Sequence, residues 1–344
     1  MNKLAAELNK VLEGSTALAL LSDFGKRFYF PKGIAAQAAE SKAKAKKYNA
    51  TIGMAFADKE PIELPTIQKY LHGLSKAEAV AYAPTGGENE LRALWKQGIC
   101  TKNPGIEESQ ISTPAIVPGL TNGIAQIADL FIEEGENIVV PDMFWGNYRL
   151  IFEQRKQAVL RGFPFFTPDG GLNVDGFEET MRNSAVNNKI ILIVNFPNNP
   201  TGYSPTKEEA EKLHSMITRL ASEGYKILAI MDDAYFGLFY EDSTYKQSLF
   251  SVLYNAHENI LAVKIDGATK EDFVWGFRLG FVTFGCKGMT TEQYEALNKK
   301  LTGAIRSSVS NCSRPAQSII KRALKDPDHQ NAKQQYFEAL KKRY

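Results

Sequence analysis

The feature that most constrains this chain is a series of short, continuous apolar runs along its middle and later part. They are AIVP (115–118), NIVVP (137–141), IILIV (190–194), ILAIM (227–231), ILAVKI (260–265) and FVTF (281–284). Short runs without polar alternation read as strands buried on both faces. Between several of them lie helical stretches such as TKEEAEKLHSMITRLASEG (206–224), which opens on a Thr cap and closes at Gly224. Buried strands alternating with helices predict an α/β fold, a mainly parallel sheet sandwiched by helices. Further helices are predicted from Thr290 to Arg306, from Pro315 to Leu324, and through HQNAKQQYFEALKKRY to the end. At the start, MNKLAAELNKVLEGS reads as an amphipathic helix with Leu4, Leu8, Val11 and Leu12 on one face. The stretch from Ala35 to Tyr48 is Ala- and Lys-rich and favours helix, and both segments are placed in an arm outside the main domain.

Composition narrows the classes. A chain of 344 residues, 44% apolar and 23% charged, can bury a large core in two domains or one with an appendage. The net charge is +2, and basic residues are scattered among acidic ones with no basic run interleaved with aromatics, so nucleic acid is not expected as a partner. No stretch approaches the length of a membrane span, and the start lacks the continuous apolar core of a signal peptide. Cys100, Cys286 and Cys312 are an odd count lying far apart, which fits a reducing cytoplasm. His72, His214, His257 and His329 form no cluster, and no metal site is expected.

In an open α/β sheet, ligands bind beyond the carboxyl ends of the strands, so the residues just past each run carry the functional signal. After AIV comes PGLTNG (118–123), a Gly turn entering a helix, able to cradle a phosphate with free N–H groups and the Thr121 hydroxyl. By itself an ordinary strand-to-helix turn is the favoured reading, since many such turns bind nothing. After NIVV comes PDMFWGNY (141–148), where Trp145 can stack on a planar ligand or simply fill the core. NFPNNPTG (195–202) is a rigid, amide-rich turn in which Asn199 can donate to an anionic oxygen. After ILAIM comes DDAY (232–235): Asp232 can pair with a cationic ring nitrogen, Tyr235 can hydrogen-bond a ring hydroxyl, and Asp233 is read as a helix N-cap. After ILAVKI comes DGATK (266–270), with Arg278 eight residues beyond Lys270. A buried lysine can lose its proton and become nucleophilic, whereas an isolated one is usually a solvated charge. Together the five ends supply an anion cradle, an aromatic stack, an amide donor, a carboxylate with a tyrosine, and a lysine with an arginine. That set matches one cofactor, with a phosphate, a planar ring, a phenolic oxygen, a basic ring nitrogen and an aldehyde.

With YAPTGGENELR, PGLTNG, FWGN, NNPTG, DDAY, K-x7-R-x-G and IRSSVSN in register, the chain from about Ile52 to Leu324 resembles the class I aminotransferases, in layout the aspartate aminotransferase group. The resemblance implies the fold-type-I architecture: a mainly parallel seven-stranded sheet with an incomplete small domain. It divides the chain into an N-terminal arm with part of the small domain (1–50), a large cofactor domain (51–325) and the start of a small domain (326–344). It further implies pyridoxal phosphate held by Lys270 as a Schiff base, with Asp232 keeping the ring nitrogen protonated. Tyr235 and Asn199 then serve the phenolic oxygen, and Trp145 stacks on the ring. Leu120 through its backbone, Thr121, Arg278 and Thr269 form the phosphate cup. Tyr82 reaches the phosphate of a neighbouring subunit, Gly53 turns its backbone to the substrate, and Arg306 grips a second substrate carboxylate from the partner, against the alternative of a surface ion pair. Trp145 and Asn199 also border the substrate. Amino acid and 2-oxo acid substrates, the amino acid being aspartate, glutamate or an aromatic one, and a homodimer come with the same resemblance, with Asn311 joining Tyr82 and Arg306 at the interface.

The sequence departs from the family's pattern twice. The serine usual three residues before the lysine is Gly267, which removes one phosphate ligand. The arginine that holds the substrate's α-carboxylate falls beyond Tyr344 in the family, so the expectation is a truncated chain or a product lacking that domain. Two competing readings stay open: a lyase or decarboxylase on the same site, and a ligand-sensing module without turnover.

Overall fold

Seven strands form the central sheet: β1 (Ala115–Val117), β2 (Asn137–Pro141), β3 (Val159–Phe163), β4 (Lys189–Val194), β5 (Lys226–Asp232), β6 (Ile260–Asp266) and β7 (Gly280–Gly285). The computed structural model describes residues 1–31, 34–47, 51, 53–57 and 60–343. Tyr48 and Ile52, which bound two of the sequence readings, lie outside the described residues. The strand order is β1-β7-β6-β5-β4-β2-β3. Neighbours from β6 through β3 pair in parallel, while β7 runs antiparallel to both β6 and β1.

Two strands show what apolar runs leave out. β3 (VLRGF) is not a continuous apolar run, because it lies at the sheet edge and carries Arg161 and Gly162 in exposed positions. The direction of β7 is likewise not written in its composition, since a strand buried on both faces looks the same either way round.

Alternate residues of each central strand feed two separate cores, as the period of two requires. Val139, Leu192, Ala229 and Ala262 face one core, where α1 (Asn89–Lys102), α3 (Val174–Ser184) and α4 (Lys207–Ser222) pack with Trp95, Phe177 and Leu213. Ile138, Ile193, Ile230 and Val263 face the other, covered by α2 (Leu120–Phe131) and α6 (Thr291–Ser308) with Ile127 and Ile305. The predicted start of α4 is present: the Thr206 hydroxyl accepts from the Glu209 N–H, and Glu209 accepts in return from the Thr206 N–H. A short helix, α5 (Ala268–Glu271), leaves the end of β6, and the chain finishes in α7 (Arg314–Leu324) and α8 (His329–Lys341).

The N-terminal helix Lys3–Val11 forms as its pattern predicts, but its apolar face is largely uncovered, with Val11 84% exposed. Among the described residues no helix is long and apolar enough to cross a membrane.

Candidate active site

The carboxyl ends of β1, β2, β4, β5 and β6 converge on one cavity of about 200 Å³. Five separate turns therefore deliver their side chains to one place. Leu120, Thr121, Trp145, Asn199, Asp232, Tyr235, Thr269, Lys270 and Arg278 all line it, with Asn195 and Ala234.

One wall is an anion cradle. Gly119 caps α2 at φ 80°, a left-handed conformation that glycine adopts without strain, and a Cβ there would lie 2.5 Å from Arg278 Nη2. The glycine thus lets the guanidinium approach the first N–H groups of α2, where the helix dipole already favours negative charge. Arg278 reaches this position from a left-handed backbone of its own (φ 52°). Beside it the Thr269 hydroxyl is buried with no hydrogen-bond partner among the described residues.

Gly267 does not owe its identity to backbone conformation, for its φ of 172° is extended. Space decides it. A Cβ would sit 2.5 Å from the Leu279 carbonyl oxygen and 3.0 Å from Gly280 Cα, so the backbone entering β7 occupies the volume that a serine side chain needs. Gly267→Ser is expected to destabilise the fold by about 1–3 kcal/mol, read as a lower Tm, without tightening the binding of inorganic phosphate.

At the opposite wall, Asp232 ends β5 only 3% exposed. Tyr148 donates to its Oδ2 at 2.6 Å and the Ala234 N–H to its Oδ1 at 3.3 Å. Burial pushes this carboxyl up to about 6, against the lowering effect of the Tyr148 hydrogen bond and the Lys270 charge. Asn195 donates to the Asp232 carbonyl at 2.6 Å and accepts from the Asn199 N–H at 2.7 Å, which locks the NNPTG turn against β5. Asn199 Nδ2 donates in turn to the Tyr235 hydroxyl at 3.4 Å.

Lys270, on α5, places Nζ 4.7 Å from the centre of the Tyr235 ring. Burial lowers its proton affinity and Arg278 adds to the effect, while Asp232 opposes it. A Cβ on Gly53 would lie 3.7 Å from the Tyr235 hydroxyl, which places this glycine beside that side chain.

Tyr82 and Arg306 are not brought to this cavity within the chain. Tyr82 is 91% exposed, and Arg306, on the surface of α6, donates to Ser310 at 2.7 Å. Asp233 is not a helix N-cap. Alternation at the strand end turns it away from Asp232, where it is buried, pairs with Lys264 and accepts from Ser248 at 2.6 Å. The sequence reading also missed Tyr148 and Asn195. Tyr148 lies three residues after Trp145, on the same side of a turn that leads into the π-helix Arg149–Arg155, and π-turns are frequent at functional sites. Among the described residues no cluster of His, Cys, Asp and Glu could hold a metal ion.

The fold is that of the fold-type-I aminotransferases. An aminotransferase structure from Anaerococcus prevotii superposes with a TM-score of 0.79 at 26% identity, covering 92% of this chain and 79% of that one. Residues 63–344 match the family model for aminotransferase class I and II, and the chain belongs to that family. It is 28% identical over 204 residues to an aspartate aminotransferase of Bacillus sp. (strain YM-2), covering 58% of this chain and 47% of that protein. It is 30% identical over 176 residues to the mitochondrial aspartate aminotransferase of Saccharomyces cerevisiae, covering 46% and 37%. The chain thus spans about half the length or less of these curated relatives.

Proposed function

We propose that this chain is a pyridoxal-phosphate-dependent aminotransferase, moving an amino group between an amino acid and a 2-oxo acid. One observation carries the reading: a desolvated lysine amine, a buried carboxylate and an anion cradle share a single cavity at the strand ends. The residues fit the cofactor. The unpartnered Thr269 hydroxyl, Thr121, Arg278 and the first N–H groups of α2 would hold its phosphate, and Asp232 offers a buried carboxylate to a protonated ring nitrogen.

When bound, pyridoxal phosphate supplies an electrophilic aldehyde carbon and an electron-withdrawing ring. The chain supplies the rest. Asp232 would keep the ring nitrogen's proton, held in orientation by Tyr148. Trp145 would cover the ring face and exclude water. Tyr235 and Asn199 would hydrogen-bond the phenolic oxygen. Lys270 would provide the attachment amine and, when free, would act as base for the substrate's Cα proton. Tyr82 and Arg306 complete the site from the partner subunit of a homodimer. The division into arm (1–50), cofactor domain (51–325) and small-domain segment (326–344) belongs to the same reading. The three free cysteines favour a cytoplasmic setting.

The test is incubation with pyridoxal phosphate and a panel of amino acids, with and without a 2-oxo acid. Amine transfer beyond one equivalent per site is expected only with the acceptor present; continued turnover without it assigns an elimination or decarboxylation instead. Aspartate and glutamate are the expected donors, and Arg306→Ala is expected to cut kcat/KM for them by about tenfold to a hundredfold, the loss of a bidentate carboxylate contact. An unchanged donor preference removes Arg306 from the site.

A further inference from the structure

The three residues immediately after Lys270 are gripped from outside the cavity, and by one helix. Glu271 accepts from Lys333 at 2.8 Å and from Lys102, at the end of α1, at 2.7 Å. Asp272 pairs with the same Lys333 at 2.9 Å and with His329 Nε2 at 3.1 Å. The Phe273 ring lies 6.1 Å from that of Tyr336. Lys333, His329 and Tyr336 all belong to α8.

The carboxylates are deep, with side chains 10% exposed for Glu271 and 1% for Asp272. A buried carboxylate is strongly disfavoured without a cation, so these pairs fix where the backbone of 271–273 runs. That backbone leaves α5 through Phe273 in a left-handed conformation (φ 53°), which a bulky residue keeps only when its surroundings hold it. The far nitrogen of His329 meets the Thr66 hydroxyl at 2.7 Å, so α8 is itself anchored to the segment before the large domain's first long helix. Neither Glu271 nor Asp272 lines the cavity at the strand ends. Their two charges serve the turn that carries Lys270.

We propose that Lys333 is a positioning residue for Lys270, fixing the anchor turn through Glu271 and Asp272 and linking α8 to the site. The proposal rests on the reading of Lys270 as the reactive amine. Lys270 itself faces Asp232 and Tyr235 from the β5 end and Arg278 from the turn before β7. Removing Lys333 leaves Glu271 paired with Lys102 alone and Asp272 with His329 alone, so the turn carries excess negative charge next to the amine, which raises its proton affinity.

The cofactor-free chain supplies the test. Each lysine is labelled competitively with acetic anhydride across a pH series and read by mass spectrometry. In Lys333→Met, labelling of Lys270 at pH 8 is expected to fall at least threefold, its midpoint moving to higher pH, while the exposed Lys212 is unaffected. Lys333→Arg is expected to keep the original profile, and Glu271→Gln combined with Lys333→Met to recover part of it. A purely structural role would lower Tm without moving the Lys270 midpoint. An unchanged Lys270 profile in folded Lys333→Met overturns the proposal. If that variant does not fold, the double variant is compared with Glu271→Gln alone, and identical profiles there overturn it equally. The reading of Lys270 as cofactor anchor fails separately, if borohydride fixes pyridoxal phosphate elsewhere in the unmodified protein.

Discussion

Lys270→Ala is expected to abolish the covalent capture of pyridoxal phosphate. With the unmodified chain, borohydride should fix one pyridoxyl group on Lys270, detected by peptide mass; with the variant the yield should fall at least a hundredfold. Two lysines close together in the chain show why. Lys264, on β6, is fully buried, but Asp233 and Asp266 flank it, and their charges outweigh burial and raise its proton affinity. It stays an ammonium ion and cannot attack a carbonyl. Lys270 shares its cavity with Arg278 and, among the described residues, the single carboxylate of Asp232, and burial lowers its proton affinity. Burial thus yields a structural cation at one position and a nucleophile at the other. Because Lys270 makes no ion pair among the described residues, its removal should leave Tm nearly unchanged. A pyridoxyl group appearing on Lys264, or persisting at any single lysine in the variant, would overturn the assignment.

The same contrast shows how far residue order alone reaches. Leu120, Thr121, Trp145, Asn199, Asp232, Tyr235, Thr269, Lys270 and Arg278 all line one cavity, most because they sit just past a strand end, and strand ends are legible from apolar runs. The facing of neighbouring residues at such an end is less legible. Asp232 and Asp233 are chemically identical neighbours, and only the pleat decides that one faces the cavity and the other Lys264. Tyr148 escaped because an aromatic near a strand end is ordinarily core, and its hydroxyl acquires meaning only from Asp232, eighty-four positions away. The α8 clamp is less legible still. Its members Lys102, Glu271, His329 and Lys333 lie on three separate helices and meet only through folding. Gly267 is a different case: its departure from the family is plain in the sequence, but the reason is the carbonyl of Leu279.

Asp232→Asn is expected to make the cofactor-free chain more stable and the loaded enzyme far slower. The folded Asp232 carboxyl titrates at about 6 against an ordinary value of 3.8, so it holds its proton more tightly folded than unfolded. Its favourable contribution is therefore complete below about pH 4 and is lost as pH rises through 6. At pH 8 the ionised, buried group costs on the order of 3 kcal/mol, because burial holds its proton well above the ordinary carboxylate range. Asparagine keeps the shape without carrying the charge: its Oδ1 still accepts from the Ala234 N–H, and its Nδ2 donates to the Tyr148 hydroxyl oxygen in place of the bond Tyr148 made to the carboxylate. Chemical denaturation should show a gain of about 1–3 kcal/mol at pH 8 and almost none at pH 4. The functional cost runs the other way. An amide cannot hold the proton on a pyridine nitrogen, so amine transfer should fall by about two orders of magnitude or more. The unmodified chain would then be carrying a destabilising carboxylate at a strand end for the sake of its cofactor, the trade seen where local stability yields to function. Equal stability of the two forms at pH 8 would show that Asp232 is not strained in the empty site, and unimpaired transfer would remove it from the chemistry.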